Sequence, residues 1–212
     1  MKFNGNSRGT HDGFDYELWS QIPEDHASMT LTGGGTFKCD WNGFNVLFRT
    51  GKRLGSKHDF KHYGKIAVDY AAQHKIVTGD VSYLCIYGWT VDPLMEFYVV
   101  DNHFSYKPPG GKGYRGDIEV DGGVYEVFTD TRVNQPSIQG TQTFEQIFSV
   151  RKDLRTEGII TLSEHFKAWE KMGLDVSGKI FEIALCVEGF RTDGQATVSK
   201  HVFSIGDEVY GG

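Results

Sequence analysis

The sequence predicts an all-β protein built as a sandwich of two packed sheets. Its 212 residues include 27 glycines but only 5 prolines, and glycine pairs and one glycine triplet are spread along the chain. Between them apolar and polar residues alternate with a period of two, which is typical of half-buried strands. The 15 Phe, 10 Tyr and 4 Trp favour strands too. This composition disfavours a helical bundle, a collagen and a disordered chain.

Ten segments carry the alternation clearly enough to be predicted as strands. They are 36–41, 46–50, 65–73, 82–89, 94–101, 116–120, 124–130, 142–150, 179–188 and 196–205. Three of these strands, 82–89, 94–101 and 179–188, each have one apolar face and one mixed face that carries aromatic residues, carboxylates or both. The residues on the three mixed faces are Tyr83, Cys85, Tyr87, Trp89, Leu94, Glu96, Tyr98, Glu182, Ala184, Cys186 and Glu188. We expect the apolar faces to pack on a second layer and the mixed faces to line an open cleft.

One segment, 161–173, is predicted to form the single helix. Its apolar residues recur at i, i+4 and i+7, and they are Leu162, Phe166 and Trp169. Thr161 and Glu164 have the spacing of a capping box, and Gly173 is a suitable stop signal. One helix among about ten strands predicts a brace on the sandwich rather than a second domain.

Charge and hydropathy exclude several classes of partner. The 22 basic and 28 acidic residues give a net charge of −6 without a basic stripe, so no nucleic-acid partner is expected. No apolar run approaches the ~18–20 residues that cross a bilayer, so no membrane partner is expected. Residues 1–13 are polar and glycine-rich, unlike a signal peptide. Cys39, Cys85 and Cys186 allow at most one disulfide.

Two glutamates stand out as candidate catalytic residues. Glu96 and Glu188 each lie in a strongly apolar, strand-like run, where a carboxylate must be paired, hydrogen-bonded or functional. Two carboxylates among Tyr and Trp on one concave face suit glycoside hydrolysis, because one attacks or stabilises the anomeric carbon and the other protonates the leaving oxygen. The residues alone leave open a pair of surface glutamates on the wet face of a sheet.

Other motifs give weaker signals. The glycines of 111–116 match the spacing of a dinucleotide-binding loop but lack its strand–turn–helix context, so we predict a turn and no cofactor. His58 and His62 have i, i+4 spacing, but their stretch is lysine-rich and unpatterned and lacks the glutamate of a helical zinc motif, so no metal is expected. A loop with Pro136 at its tip could close over a cleft, although its spacing favours an ordinary hairpin.

Taken together and in order, these runs resemble glycoside hydrolase family 11, the endo-β-1,4-xylanases. The resembling runs are 15–19, 45–51, 87–98, 131–138, 165–173 and 186–190. The resemblance implies a β-jelly-roll of two curved, mostly antiparallel sheets, one short helix at about 161–173, a long cleft and a thumb loop. It implies a catalytic domain over 13–205, with residues 1–12 and 206–212 expected as terminal tails.

The resemblance also implies roles for individual residues. Glu96 corresponds to the nucleophile and Glu188 to the acid/base of a retaining enzyme, whose carboxyl groups lie ~5–5.5 Å apart. Asn45 corresponds to the neighbour of the acid/base, where asparagine goes with a near-neutral to alkaline optimum. The implied substrate-binding residues are Trp19, Tyr83, Tyr87, Trp89, Tyr98, Arg132, Pro136 and Gln146. Phe190 departs from the family, which usually has tyrosine there.

The resemblance therefore implies endo-acting hydrolysis of xylan and xylooligosaccharides, and we expect a monomer that needs no cofactor or metal. The alternative is a non-catalytic β-sandwich module that binds plant cell-wall polysaccharide through the same aromatic face. A third possibility is a structural or inhibitor-like sandwich. An extracellular location is expected because the substrate is an external polymer.

Overall fold

The computed structural model describes residues 1–212 and confirms the all-β prediction, with fourteen strands and one helix. The strands are β1 (Lys2–Asn4), β2 (Ser7–His11), β3 (Phe14–Ser20), β4 (His26–Gly33), β5 (Thr36–Arg53), β6 (Ile66–Thr78), β7 (Val81–Val91), β8 (Met95–His103), β9 (Tyr114–Val120), β10 (Gly123–Ser137), β11 (Gly140–Arg151), β12 (Glu157–Ile160), β13 (Lys179–Ile205) and β14 (Glu208–Tyr210). The helix is α1 (Leu162–Lys171). No helix of the structure is both long and apolar enough to span a bilayer.

The two layers of the sandwich are joined through β5 and β13, which run continuously from one layer into the other. The first half of β5 pairs with β4 and its second half with β3. The first half of β13 pairs with β7 and its second half with β6. The layer that concerns function has the order β2-β3-β5-β13-β7-β8-β11-β10-β9, in which only the β8–β11 pair is parallel.

β13 is one continuous strand, whereas the sequence predicts two separate strands, 179–188 and 196–205, in this region. Glycines interrupt the alternation, but they serve packing rather than a turn. A Cβ atom on Gly189 or Gly194 would lie 2.4 or 2.5 Å from the indole of Trp41. Trp41 is 1% exposed and donates through Nε1 to Thr192 Oγ1 at 2.9 Å. The glycines therefore let a tryptophan pack against the strand where it bends between the layers.

The predicted division of faces holds on both sides of the functional layer. The apolar faces of β7, β8 and β13 point between the layers, where Leu84, Phe97 and Leu185 are fully buried. The opposite faces form a second, smaller cluster. It contains Leu47, Tyr83, Cys85, Tyr87, Trp89, Tyr98, Val100, Phe128, Phe144, Phe148, Val150 and Cys186. This aromatic cluster is the floor beneath the cleft.

Helix α1 braces the core as expected, but its N-terminus is capped differently. Phe166 packs edge-on against Phe97 with ring centroids 5.1 Å apart. Thr161 makes no side-chain cap hydrogen bond within the helix. Its Oγ1 and backbone N instead donate to the two carboxylate oxygens of Asp121, at 2.7 and 2.6 Å. A carboxylate 40 residues away therefore replaces the predicted capping box.

The two segments expected as terminal tails are part of the sheet. β1 pairs with β4, β2 with β3, and β14 with β13. Phe3 stacks on Tyr16 with ring centroids 4.9 Å apart, which fixes the N-terminal segment further. These short polar strands are held by backbone hydrogen bonds, so their side chains give little alternation to detect.

The three cysteines are buried and form no disulfide. Cys85 and Cys186 lie opposite one another on β7 and β13, under the cleft. Cys39 lies in the other layer, on β5. Burial raises the pKa of the Cys39 and Cys85 thiols well above the ordinary value, so these side chains act as small apolar filler.

Candidate active site

A groove of about 590 Å³ crosses the outer face of the functional layer, above the aromatic cluster. It brings together almost all the predicted site residues: Trp19, Asn45, Tyr87, Trp89, Glu96, Tyr98, Arg132, Pro136, Gln146 and Glu188. Tyr83 is the exception, because it does not line the groove. Tyr83 is 8% exposed and packs edge-on to Tyr98, with ring centroids 6.5 Å apart, so it supports the floor instead.

Glu96 is held by three hydrogen-bond donors on the groove floor. Tyr87 Oη donates to Glu96 Oε1 at 2.8 Å, and Tyr98 Oη donates to the same oxygen at 3.2 Å. Gln146 Nε2 donates to Oε2 at 2.5 Å. The strand register explains the arrangement, because Gln146 faces Glu96 across the parallel β8–β11 pair and Tyr87 faces Tyr98 across β7–β8. Three donors and no acceptor favour a carboxylate.

Tyr87 is itself fixed from two further directions. Trp89 Nε1 donates to Tyr87 Oη, so that hydroxyl accepts from one side and donates to Glu96 on the other. The guanidinium carbon of Arg49 lies 5.1 Å from the centre of the Tyr87 ring. The hydroxyl that contacts Glu96 is therefore held in one place by an indole and a cation.

Arg49 belongs to a network of charges that the sequence does not predict. Its Nη2 lies 2.8 Å from Glu17 Oε2 and 3.0 Å from Glu182 Oε1. Arg53 lies 3.4 Å from the same Glu17 oxygen. The sequence did carry one signal for this network, because Arg49 and Glu182 lie in strongly apolar strands and buried charges must be paired. It does not indicate which residues form the pairs.

Glu188 lies on β13, opposite Leu47 of β5 and Tyr83 of β7. Its Oε2 is buried and has no hydrogen-bond partner. The neighbouring Asn45 donates through Nδ2 to Gln21 Oε1 at 3.2 Å, and Asn45 Oδ1 is likewise buried without a partner. Glu188 Oε2 therefore lacks a donor, whereas both carboxylate oxygens of Glu96 accept hydrogen bonds.

This difference in surroundings gives the two carboxyl groups different tendencies to hold a proton. Burial, and then the nearby charge of Glu96, raise the pKa of Glu188 to about 8. Burial also raises the pKa of Glu96, but hydrogen bonds from Gln146, Tyr87 and Tyr98 oppose that effect. The two groups titrate as a coupled pair in which Glu96 ionises first and Glu188 keeps the proton near neutral pH.

The predicted loop with Pro136 at its tip is a long hairpin arm over the groove. β10 continues to Ser137 and β11 begins at Gly140, so only two residues lie between the strands. The register shifts between Arg132 and Gln135, which bends the arm. Arg132, Pro136 and Ile138 line the groove from this side.

The weaker motifs contribute nothing to the groove. The segment 111–116 leads into edge strand β9 and opens no helix, as predicted. The rings of His58 and His62 stack with centroids 3.6 Å apart. No group of three or more His, Cys, Asp or Glu side chains in the structure is arranged to hold a metal ion.

Comparison with known proteins gives a consistent match. The family model described as glycosyl hydrolases family 11 matches residues 11–199. A bifunctional xylanase/deacetylase of Pseudobutyrivibrio xylanivorans is 48% identical over 202 residues, which is 95% of this chain and 33% of that protein. An endo-1,4-beta-xylanase A of Bacillus pumilus is 44% identical over 203 residues, 95% of this chain and 86% of that protein. The chain spans about a third of the length of several curated relatives.

Solved structures agree with the fold that the resemblance implies. The family 11 xylanase from Neocallimastix patriciarum superposes with a TM-score of 0.89 at 36% identity, covering 97% of this chain and 100% of that one. The wild-type ENZbleach xylanase superposes with a TM-score of 0.90 at 29% identity, covering 99% of this chain and 91% of that one. The expected β-jelly-roll is thereby confirmed.

Proposed function

The chain belongs to glycosyl hydrolase family 11, and we propose that it hydrolyses internal β-1,4-xylosidic linkages of xylan with retention of configuration. The observation that carries the proposal is the unequal pair of buried carboxyl groups in one groove. Glu96 accepts three hydrogen bonds, while Glu188 Oε2 is buried without a hydrogen-bond partner and the pKa of Glu188 is raised to about 8. One group is thus prepared as a nucleophile and the other as a proton donor.

The proposed reaction has two displacements. In the first, a Glu96 oxygen attacks the anomeric carbon while the glycosidic C–O bond breaks, and the leaving oxygen takes its electron pair and the proton of Glu188. The resulting ester removes the charge of Glu96, which lowers the pKa of Glu188. In the second, ionised Glu188 takes a proton from water as the water oxygen attacks the same carbon and Glu96 leaves.

The rest of the groove suits a polymer. Trp19 lines it and offers a flat surface for the C–H face of a sugar ring, while the hairpin arm with Pro136 faces the groove from above. All these groups come from one chain, so we propose that a monomer is sufficient. Because xylan lies outside cells, we also propose an extracellular site of action.

A polysaccharide-binding module would use the same aromatic face, but it would gain nothing from a buried carboxyl group that keeps its proton at neutral pH. We therefore favour the enzyme, and the test is incubation with purified xylan and, separately, with cellulose. We expect reducing ends from xylan, a rapid fall in viscosity that indicates internal cleavage, and products that NMR detects first as β-anomers. Initial α-anomers, or the absence of new reducing ends, would contradict the proposal.

The substitution Asn45→Asp should move the activity optimum to lower pH by at least about one unit. A carboxyl at this position imitates the neutral asparagine only while it is protonated, so the active form would be confined to more acidic solution. The measurement is kcat/KM against pH. Asn42→Asp, an exposed change on the same strand, serves as the matched control. An optimum that moves equally in both variants, or in neither, would refute the coupling of Asn45 to Glu188.

A further inference from the structure

We infer that Gln21 is a positioning residue for the general acid: it fixes which end of the Asn45 amide faces Glu188, and so favours the protonated carboxyl group. The inference rests on the proposed function, in which Glu188 is the proton donor. Gln21 is uncharged and lies on the groove rim, just after β3. It was not among the residues that the sequence singled out.

Two hydrogen bonds tie Gln21 to Asn45. The backbone N of Gln21 donates to the backbone O of Asn45 at 2.9 Å, which continues the β3–β5 pairing by one residue. The side chain of Gln21 then accepts from Asn45 Nδ2 through Oε1, at 3.2 Å. The amide donor of Asn45 is thus directed towards Gln21, and its acceptor oxygen is directed elsewhere.

The acceptor oxygen of Asn45 has a suitable partner on the next strand. The β5–β13 register pairs Leu47 with Glu188 and Asn45 with Phe190, so Asn45 and Glu188 are diagonal neighbours on one face. Asn45 Oδ1 and Glu188 Oε2 are both buried, and neither has a hydrogen-bond partner. Two oxygens can share a hydrogen bond only if one carries a proton, and here that proton must belong to Glu188.

The orientation of Asn45 therefore distinguishes the two states of the acid. With Nδ2 bonded to Gln21, Asn45 can accept from protonated Glu188 but can offer nothing to the ionised form. To stabilise ionised Glu188, the amide would have to turn over and give up its bond to Gln21. Gln21 thereby penalises loss of the catalytic proton.

The other groups that face Glu188 are unaffected by a change at Gln21. The charge of Glu96 raises the pKa of Glu188, whereas Tyr98, Arg49 and Arg132 lower it. Tyr83 faces Glu188 from β7. None of these five groups makes a hydrogen bond or ion pair with Gln21, so a shift caused by replacing Gln21 reports on Asn45.

The test compares two replacements of Gln21. Gln21→Leu removes the acceptor and frees Asn45 to turn, so the pKa of Glu188 should fall by roughly 0.5 unit, which is the scale of one net hydrogen bond. Gln21→Glu keeps an acceptor for Asn45 Nδ2 and adds a negative charge, so the pKa should stay or rise. In an Asn45→Ala background, Gln21→Leu should cause no further shift.

Two readouts separate this inference from the proposed function. NMR titration of the Glu188 carboxyl carbon in the free protein measures the pKa without substrate, and the alkaline limb of kcat/KM on xylan should move by the same amount. An unchanged titration, with kcat/KM lowered equally at every pH, would make Gln21 a substrate contact and overturn the inference. A shifted titration in a protein inactive on xylan would support the positioning role of Gln21 and refute only the proposed function.

Discussion

Glu96→Gln should lower kcat on xylan by at least ~10⁴-fold while leaving the fold intact. The amide cannot form the ester with the anomeric carbon, so the two-step route is closed. The fold should tolerate the change because a neutral amide is less costly to bury than a carboxylate, and Tyr87 and Tyr98 can still donate to its oxygen. Sugar release at saturating xylan is the measurement, with the melting temperature as the check on folding.

This variant has a second signature that a merely structural role would not produce. Because the charge of Glu96 is one of the causes that raise the pKa of Glu188, its removal should move that pKa down towards the ordinary value of a glutamate. Glu119→Gln is a matched control, since Glu119 is an exposed strand glutamate on β9. If Glu96→Gln keeps more than about a tenth of the activity, Glu96 is not the nucleophile.

Glu188→Ala should lower hydrolysis of xylan by ~10²–10⁴-fold, the usual contribution of a positioned acid, while binding of xylan is retained. The loss should be much smaller for a xyloside whose leaving group is an acidic phenol, because that oxygen departs without a proton. Kinetics on the two substrates, together with a binding assay on xylan, make the comparison.

Azide provides the control for the role of Glu188. In Glu188→Ala the anion can enter the space of the lost carboxylate, attack the glycosyl ester without a general base, and give a β-configured glycosyl azide. The same addition should not rescue Glu96→Gln in that way, because the ester never forms. Normal hydrolysis of xylan by Glu188→Ala would show that another group donates the proton, and equal losses on both substrates would point to misfolding.

The sequence predicted those features of the site that depend on a local period. Alternation along β7 and β8 placed Tyr87, Trp89, Glu96 and Tyr98 on one face, and the structure confirms it. The same period placed Glu188 on the corresponding face of β13. A period of two is a property of the backbone, so it survives in almost any tertiary context.

Features set by distant partners could not be predicted in this way. The bend of β13 depends on Trp41 packing against its glycines, and the cap of α1 depends on Asp121. Arg49 and Glu182 are paired across two strands, and Gln21 meets Asn45 only because β3 lies beside β5. Each of these contacts joins residues that are far apart in the chain, and a single sequence carries no record of which pairs meet.

The absence of disulfides has a practical consequence. Since the three thiols are free, a thiol reductant has no S–S bond to break in the folded protein. The same buried thiols can report local unfolding. An alkylating reagent can reach Cys39 only when the two layers separate, and it can reach Cys85 or Cys186 only when the aromatic cluster beneath the groove unfolds. Site-resolved alkylation would therefore tell which half of the molecule gives way first on heating.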